Sequence, residues 1–284
     1  KERFEGIQLL RTTLGDRNMD FQVNGGHELF VKTQQELYEN CLDKLEVVNS
    51  LLHPVFEESA FQELPNSFGF KGIQGHYISN LLEGQLNTGK MMATLLQKVQ
   101  RSGVIILNSV EVKGFSETES SVSVNTDYFD FKTDKLLIAN NGFASELSIE
   151  NVKPARAQVL ITKPIDDLLI KGTFHFDEGY YYFRDIDQRI LLGGGRNLDF
   201  SGEETSKLGE TQMIQSRLET ILSEIILPGV DFEIDRRWSG IMGVGNQKRP
   251  IIKQLSNNVF CGVRLGGMGI AIGSTVGREL AELV

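Results

Sequence analysis

The sequence predicts an α/β protein in which a large antiparallel sheet stands beside a mixed unit of helices and strands. Two patterns predict it. Residues 86–139 run helix, short apolar strand, three alternating strands and a second apolar strand, the order of an α/β unit with an antiparallel insert. Residues 153–200 then hold four strand-like segments with no helix between them: Ala157–Thr162, Thr173–Phe176, Tyr180–Phe183 and Arg189–Gly193. A length of 284 residues suits one large domain or two medium ones.

The elements follow from spacing and punctuation. Phe4, Ile7, Leu10 and Leu14 recur at helical intervals, and Gly15 closes that helix. Met19–Val31 alternates around Gly25-Gly26 and reads as a hairpin. Thr33-Gln-Gln-Glu36 reads as a capping box opening a helix that carries Leu37, Cys41, Leu45 and Val48 and ends before Pro54. Residues 53–85 read as irregular. Asn87 or Thr88 caps a helix that buries Met91, Leu95, Leu96 and Val99 and stops at Gly103. Val104–Leu107 reads as a buried strand, Val110–Phe115, Ser121–Asn125 and Tyr128–Lys132 as a meander, and Lys135–Ala139 as another apolar strand. Further on, Glu203–Ile226 reads as an amphipathic helix broken by Pro228-Gly229. Phe232–Trp238 and Asn258–Val263 read as strands, and Ser274–Leu283 as a last helix.

Composition excludes several classes. Lys and Arg number 29 against 38 Asp and Glu, a net charge of −9, which argues against nucleic acid or an anionic membrane as partner. No apolar run approaches the ~20 residues that span a bilayer. Cys41 and Cys261 lie far apart, which fits a reducing, cytoplasmic compartment rather than a disulfide framework. His27, His53, His76 and His175 are scattered without metal-ligand spacing, so no metal site is expected. The chain has no Gly-x-Ser-x-Gly, no P-loop and no Gly-x-Gly-x-x-Gly. Lys1 follows no initiator Met or signal segment, and the chain reads as a fragment.

Four segments are candidates for chemistry, each with a plain structural reading beside the functional one. In Arg264–Ile270 a buried strand turns through Gly266, Gly267, Met268 and Gly269 onto a helix start. Bare glycine backbone and free amide N–H groups there suit an anion or a developing negative charge, or merely a tight turn. In Leu136–Ala144 an apolar strand ends at Ala139, Asn140, Asn141 and Gly142, the position where ligands lie in open α/β sheets, or a simple turn. In Gly179–Arg196, Tyr180, Tyr182 and Arg184 share one strand face and line a polar pocket, or Arg184 and Asp185 form a surface pair. Trp238, the only Trp, reads as a core anchor. His175 beside Asp177 reads as a solvated strand histidine, with an acid/base pair as the alternative.

In this order, these segments resemble the FAD-dependent amine and amino-acid oxidoreductases, the family of D-amino-acid oxidase, glycine oxidase, sarcosine oxidase and gamma-glutamylputrescine oxidase. Glu83–Lys90 looks like the segment that opens the second flavin-domain helix, and Ser109–Val112 like the adenine-side strand. Ala139-Asn-Asn-Gly-Phe143 is similar to the turn after the central strand, and Arg264–Ile270 to the loop facing the flavin pyrimidine. The resemblance implies an FAD/NAD(P)-binding-like sheet with an antiparallel substrate domain. Its parts are 1–80 (substrate domain, first part), 81–150 (flavin domain), 151–240 (antiparallel-sheet substrate domain) and 241–284 (flavin domain, C-terminal part).

The implied function is oxidation of a C–N bond of a small amine or amino acid, with hydride passing to FAD and electrons on to oxygen or another acceptor. Val112, Ala139, Asn140, Asn141, Gly142, Arg264, Gly266, Gly267, Met268, Gly269 and Ile270 are implied to touch cofactor. Tyr180, aligned with a substrate-facing Tyr, and Arg184 are implied to face substrate. Two departures matter. The family opens with a Gly-x-Gly-x-x-Gly unit, which places Lys1 roughly 80 residues or more into the family chain. A chain without that diphosphate cradle is expected to bind FAD poorly or not at all. The amino-acid oxidases also carry an Arg after Trp-x-Gly-x where this chain has Met242, which points to an amine rather than a simple α-amino acid unless Arg184 or Arg264 substitutes. No Cys lies near Ile241–Gly245, so the flavin is expected to be non-covalent. The alternatives are a flavin oxidase of tRNA modification, against which the acidic charge counts, and a non-catalytic scaffold relative.

Overall fold

The computed structural model describes residues 1–284. In chain order the helices are α1 (Glu2–Leu14), α2 (Asp16–Met19), α3 (Gln35–Asp43), α4 (Leu45–Phe56), α5 (Thr88–Arg101), α6 (Gln212–Ile221) and α7 (Gly269–Glu282). The strands are β1 (Gly26–Leu29), β2 (Phe61–Pro65), β3 (His76–Asn80), β4 (Val112–Glu117), β5 (Val122–Thr126), β6 (Asp130–Thr133), β7 (Leu136–Ile138), β8 (Lys153–Thr162), β9 (Thr173–Phe176), β10 (Tyr181–Ile186), β11 (Arg189–Gly194), β12 (Ile234–Val244), β13 (Ile251–Gln254) and β14 (Val259–Val263). No helix is long and apolar enough to cross a membrane.

Three sheets organise the chain. The largest has eight strands in the order β12-β8-β11-β10-β9-β1-β3-β2, antiparallel except for the β1·β9 pair. Its central strands β9 and β10 alternate buried and half-buried residues, as a half-covered sheet requires. Leu29, Phe174, Phe176, Tyr181, Phe183, Ile190, Leu192 and Leu160 point to one face and bury there against Ile214, Leu218, Ile221 and Leu222 of α6 and the π turn that follows it. The second sheet, β13-β14-β7, carries a core of Val259, Cys261, Val263 and Ile138. Val122 and Val124 of the β4-β5-β6 meander close over that core. α1 packs along α7 so closely that a Cβ on Gly6 would stand 2.0 Å from the Ala271 carbonyl oxygen.

The structure corrects five expectations. Met19–Val31 forms no hairpin: β1 runs between β9 and β3, pairing with both. Residues 53–85 are not irregular but supply β2 and β3, and β3 joins the sheet through β1, far off in sequence. The helix expected from Thr33 starts later, after a short 3-10 turn, and is two helices, α3 and α4, divided at Lys44, the second of which runs through Pro54. Val104–Leu107 is neither strand nor core: Val104, Ile105 and Leu107 are 52%, 84% and 54% exposed, and no strand lies beside them to complete a ladder. Residues 203–211 are not helical. Their position is fixed instead by Glu203, whose carboxylate accepts from Arg156 (2.9 and 2.7 Å) and from Gln158 (3.0 Å) in the interior.

Candidate functional site

Register defines the surface opposite the α6 core. Directly paired residues share a face, so one row crosses the sheet as Ile78, Glu28, His175, Tyr182, Gly193, Val159 and Trp238. The adjacent row is Asn80, Gly26, Thr173, Arg184, Leu191 and Ile161. α3 and α4 cover the β2-β3 end of this face through Tyr38, Cys41, Leu42 and Leu45, which pack on Ile78, Phe30 and Phe61. From β9 to β12 no long helix runs along the face; Arg3 of α1 approaches His175, and the 3-10 turn Asn141–Leu147 contacts β8 and β12. Gly193 is required here, because a Cβ would collide with the Tyr182 ring at 2.6 Å. The phenol therefore lies flat across β11.

This face concentrates half-buried titratable groups. Burial, reinforced by the nearby Glu83 carboxylate, lifts the Glu28 carboxyl to about 7. Glu83 stands over Gly26, where a Cβ would meet its carboxylate, and accepts from Thr173 Oγ1 at 3.2 Å. Burial lowers the His175 pKa; Glu83 opposes that shift and Arg3 of α1 adds to it. Burial also raises Tyr182 and depresses Arg184. Arg184 donates to the Leu86 carbonyl at 2.6 Å. Asp185 faces the other way and is buried, accepting from Gln85 (3.0 Å), Lys171 (2.8 Å) and the Gly172 amide (3.0 Å). The expected surface pair of Arg184 and Asp185 therefore does not exist.

The Glu28 shift has a measurable sign. A carboxyl raised from 4.5 to about 7 on folding is carried at no cost below pH 4.5, where both states hold the proton. The fold loses stability as pH rises from there to about 7. Glu28→Gln is expected to stabilise the protein by on the order of 2 kcal/mol at pH 8 and to change little at pH 4.5. Urea unfolding at the two pH values measures this.

The glycine elbow abuts the same face. Leu265 N–H donates to Asn141 Oδ1 at 2.9 Å and Gly266 N–H to the Gly243 carbonyl at 2.9 Å, which ties the turn to the end of β12. Gly266 holds φ +58 with nothing within 4 Å of its Cβ position, and the atom nearest the Gly267 Cβ position is Met242 Sδ at 3.8 Å. Met242 lies on the open sheet face, in line with Trp238. The N–H groups of Gly267, Gly269 and Ile270 find no acceptor in the chain, as at any helix start. Asn140 Oδ1, in the turn after β7, is buried without a partner. Gly142 is pressed on β12, its Cβ position 2.8 Å from the Met242 carbonyl.

The residues singled out from sequence thus divide. Ala139, Asn140, Asn141, Gly142 and Gly266–Ile270 gather at one junction with β12. Arg264, at φ +64, turns its side chain away, donating to the Arg249 and Asn151 carbonyls at 3.0 and 3.2 Å. Val112 opens β4 in the meander, half-exposed. Tyr180 is not on the strand but in the turn before β10, 39% exposed and packed edge-on against Phe200. Tyr182 takes the place on the face that was expected for both. Trp238 is no core anchor: it lies 39% exposed on the open face. Asp177 accepts from Gln34 (3.3 Å), and His175 is half-buried beside Glu28 rather than solvated. Glu28 and Glu83 gave no local signal, since only the β1·β9 register and the segment after β3 bring them together.

The sequence matches the model of the family DAO, FAD dependent oxidoreductase, over residues 3–283. The chain belongs to this family. As a DAO-family member it is an FAD-dependent oxidoreductase. No curated protein matches the sequence. Its fold is similar to that of glycine oxidase from Geobacillus kaustophilus, with a TM-score of 0.82 at 16% identity over 98% of this chain and 77% of that one. It is also similar to L-proline dehydrogenase from P. horikoshii (TM-score 0.78, 19% identity, 99% and 77% covered). Iminodiacetate oxidase from Chelativorans sp. BNC1 gives a TM-score of 0.78 at 16% identity, with 97% and 75% covered. At these identities the likeness is one of fold.

Proposed function

We propose that the chain oxidises the C–N bond of a small amine or amino acid in the crevice between the glycine elbow and the open sheet face. One observation carries this reading: three amide N–H groups without acceptors begin α7 at the edge of a face lined by His175, Tyr182, Arg184 and Trp238. The residues present fit the flavin. Unfilled space at Gly266 and Gly267 admits a planar group against bare backbone. The free amides and the positive end of α7 favour negative charge placed there. When bound, FAD supplies the hydride acceptor.

The chain's own residues then do the positioning. Gly267, Gly269 and Ile270 would hold the electron-rich edge of the cofactor, the Ala139–Gly142 turn would meet it from β7, and Val112 would contact its adenine part. Tyr182 and Trp238 wall the substrate space, and the second guanidinium nitrogen of Arg184 is left to meet an anionic group. The similar structures are named for glycine, L-proline and iminodiacetate, each a compound with the bond in question, which supports the class. Anaerobic titration of the flavoprotein with glycine, L-proline, iminodiacetate and simple secondary amines tests the reading. Bleaching of the flavin band by at least one is the expected result. A flavin-loaded protein that no member of the panel bleaches overturns it.

A further inference from the structure

We propose that His175 accepts the proton of the substrate's ammonium group. The inference rests on the proposed function, because it assigns a task within the same crevice. An amine in neutral water arrives protonated, and its nitrogen has no free electron pair. Loss of hydride from the neighbouring carbon requires that pair. Transfer of the N–H proton to a ring nitrogen of His175 breaks one N–H bond and forms another. The electron pair stays on the substrate nitrogen, and the positive charge passes to the imidazole. FAD, when bound, would supply the hydride acceptor.

Position carries the assignment. His175 stands in the cross-strand row between Glu28 and Tyr182, neighbours at about the 4.8 Å strand spacing. It is half-buried, and burial and charge alone act on it, with no hydrogen bond to its ring. It is therefore a neutral acceptor at pH 7. The groups facing it are Glu28 on β1, Tyr182 on β10, Thr173 on β9, Glu83 before α5 and Arg3 on α1. The Glu83 carboxylate stabilises an imidazolium that forms near it. Arg3 opposes it and favours release of the proton afterwards.

The elbow meets elements that flank this row on two sides, β12 and α1. Met242 touches it at the β12 end. At the other end Gly6 of α1 packs on Ala271 and accepts from Ser274 at 2.6 Å, one turn from Arg3. Other candidate bases on the face fare worse. Glu28 lies at the foot of the α3–α4 wall, Glu83 is committed to Thr173, and Tyr182 is held protonated by its burial.

The test uses tert-butylamine, which carries N–H protons but no hydrogen on its α-carbon and so is never oxidised. Four histidines give four ring signals, and His175→Asn identifies the relevant one. Saturable binding of tert-butylammonium to the flavoprotein should shift the His175 ring signal and leave those of His53 and His76 in place. Affinity should fall at least tenfold in His175→Asn and at least tenfold for tetramethylammonium, which has no N–H to give. It should also fall as pH drops through the His175 pKa, and Glu83→Gln, which keeps the ring, should move that fall to lower pH. With an oxidised amine, His175→Asn should lower kcat/KM at pH 7 about 100-fold with an unchanged flavin spectrum. An unmoved ring signal at saturation, equal affinity in His175→Asn, or no saturable amine binding overturns the proposal. Failure of every oxidisable amine to bleach the flavin-loaded protein overturns the proposed function instead, and the ring titration is read without it.

Discussion

Arg156→Met is expected to destabilise the protein by about 3–5 kcal/mol, because it strands a carboxylate in the interior. Glu203 is fully buried, and Arg156 meets both its oxygens, at 2.9 and 2.7 Å, from β8. Gln158 adds a bond at 3.0 Å and donates at the same distance to the Thr211 hydroxyl. A backbone bond from Arg156 N–H to the Glu203 carbonyl, 2.8 Å, fastens the 199–211 segment to the sheet. Removing the guanidinium leaves the carboxylate one neutral donor, too little to offset desolvation. Adding Glu203→Met should recover most of the loss, since an apolar pair has no charge to strand. Urea unfolding of the single and double variants measures both effects. Equal stability of Arg156→Met and the unsubstituted protein would show that Glu203 reaches water.

Gly267→Leu is expected to leave the fold intact and weaken FAD binding at least 100-fold, about 2.7 kcal/mol. The backbone at Gly267 lies outside the left-handed region, and the atom nearest its Cβ position is Met242 Sδ at 3.8 Å. A side chain there is therefore unstrained and projects into the crevice between elbow and sheet. Gly277→Ala is the control: it lies two turns along α7 with nothing within 4 Å of its Cβ position. Calorimetric titration with FAD compares the two variants at matched thermal midpoints. The sign of the Gly267→Leu effect distinguishes a crevice that holds cofactor from a turn that only packs helix on strand.

Much of the architecture was legible because it is local. α1, α5, the meander and β8 to β11 follow from apolar spacing, Gly15 and the Asn87 cap, whose side chain accepts from Lys90 N–H at 3.0 Å. The course of the elbow was legible too, since three closely spaced glycines mark a tight turn from β14 onto α7. What stayed hidden is non-local. β2 and β3 are strands only because β1 joins them to β9. Val104–Leu107 has strand composition, yet no neighbour pairs with it. Tyr180 and Tyr182 look equivalent in sequence, but β10 starts at Tyr181, and only Tyr182 lies across Gly193. The Glu28–His175–Tyr182 row spans three strands whose residues lie about 150 positions apart at the extremes. Periodicity within one strand gives the face of each residue, but no local pattern gives the row.

A crystal structure of the FAD-bound flavoprotein tests most directly whether the start of α7 is where the cofactor's added charge is held. The account predicts the C2 carbonyl oxygen within hydrogen-bond distance of at least one N–H among Gly267, Gly269 and Ile270, with the ring's far side toward Tyr182 and His175. A flavin bound with that oxygen in solvent, or seated away from the junction of β7, β12 and α7, would contradict it.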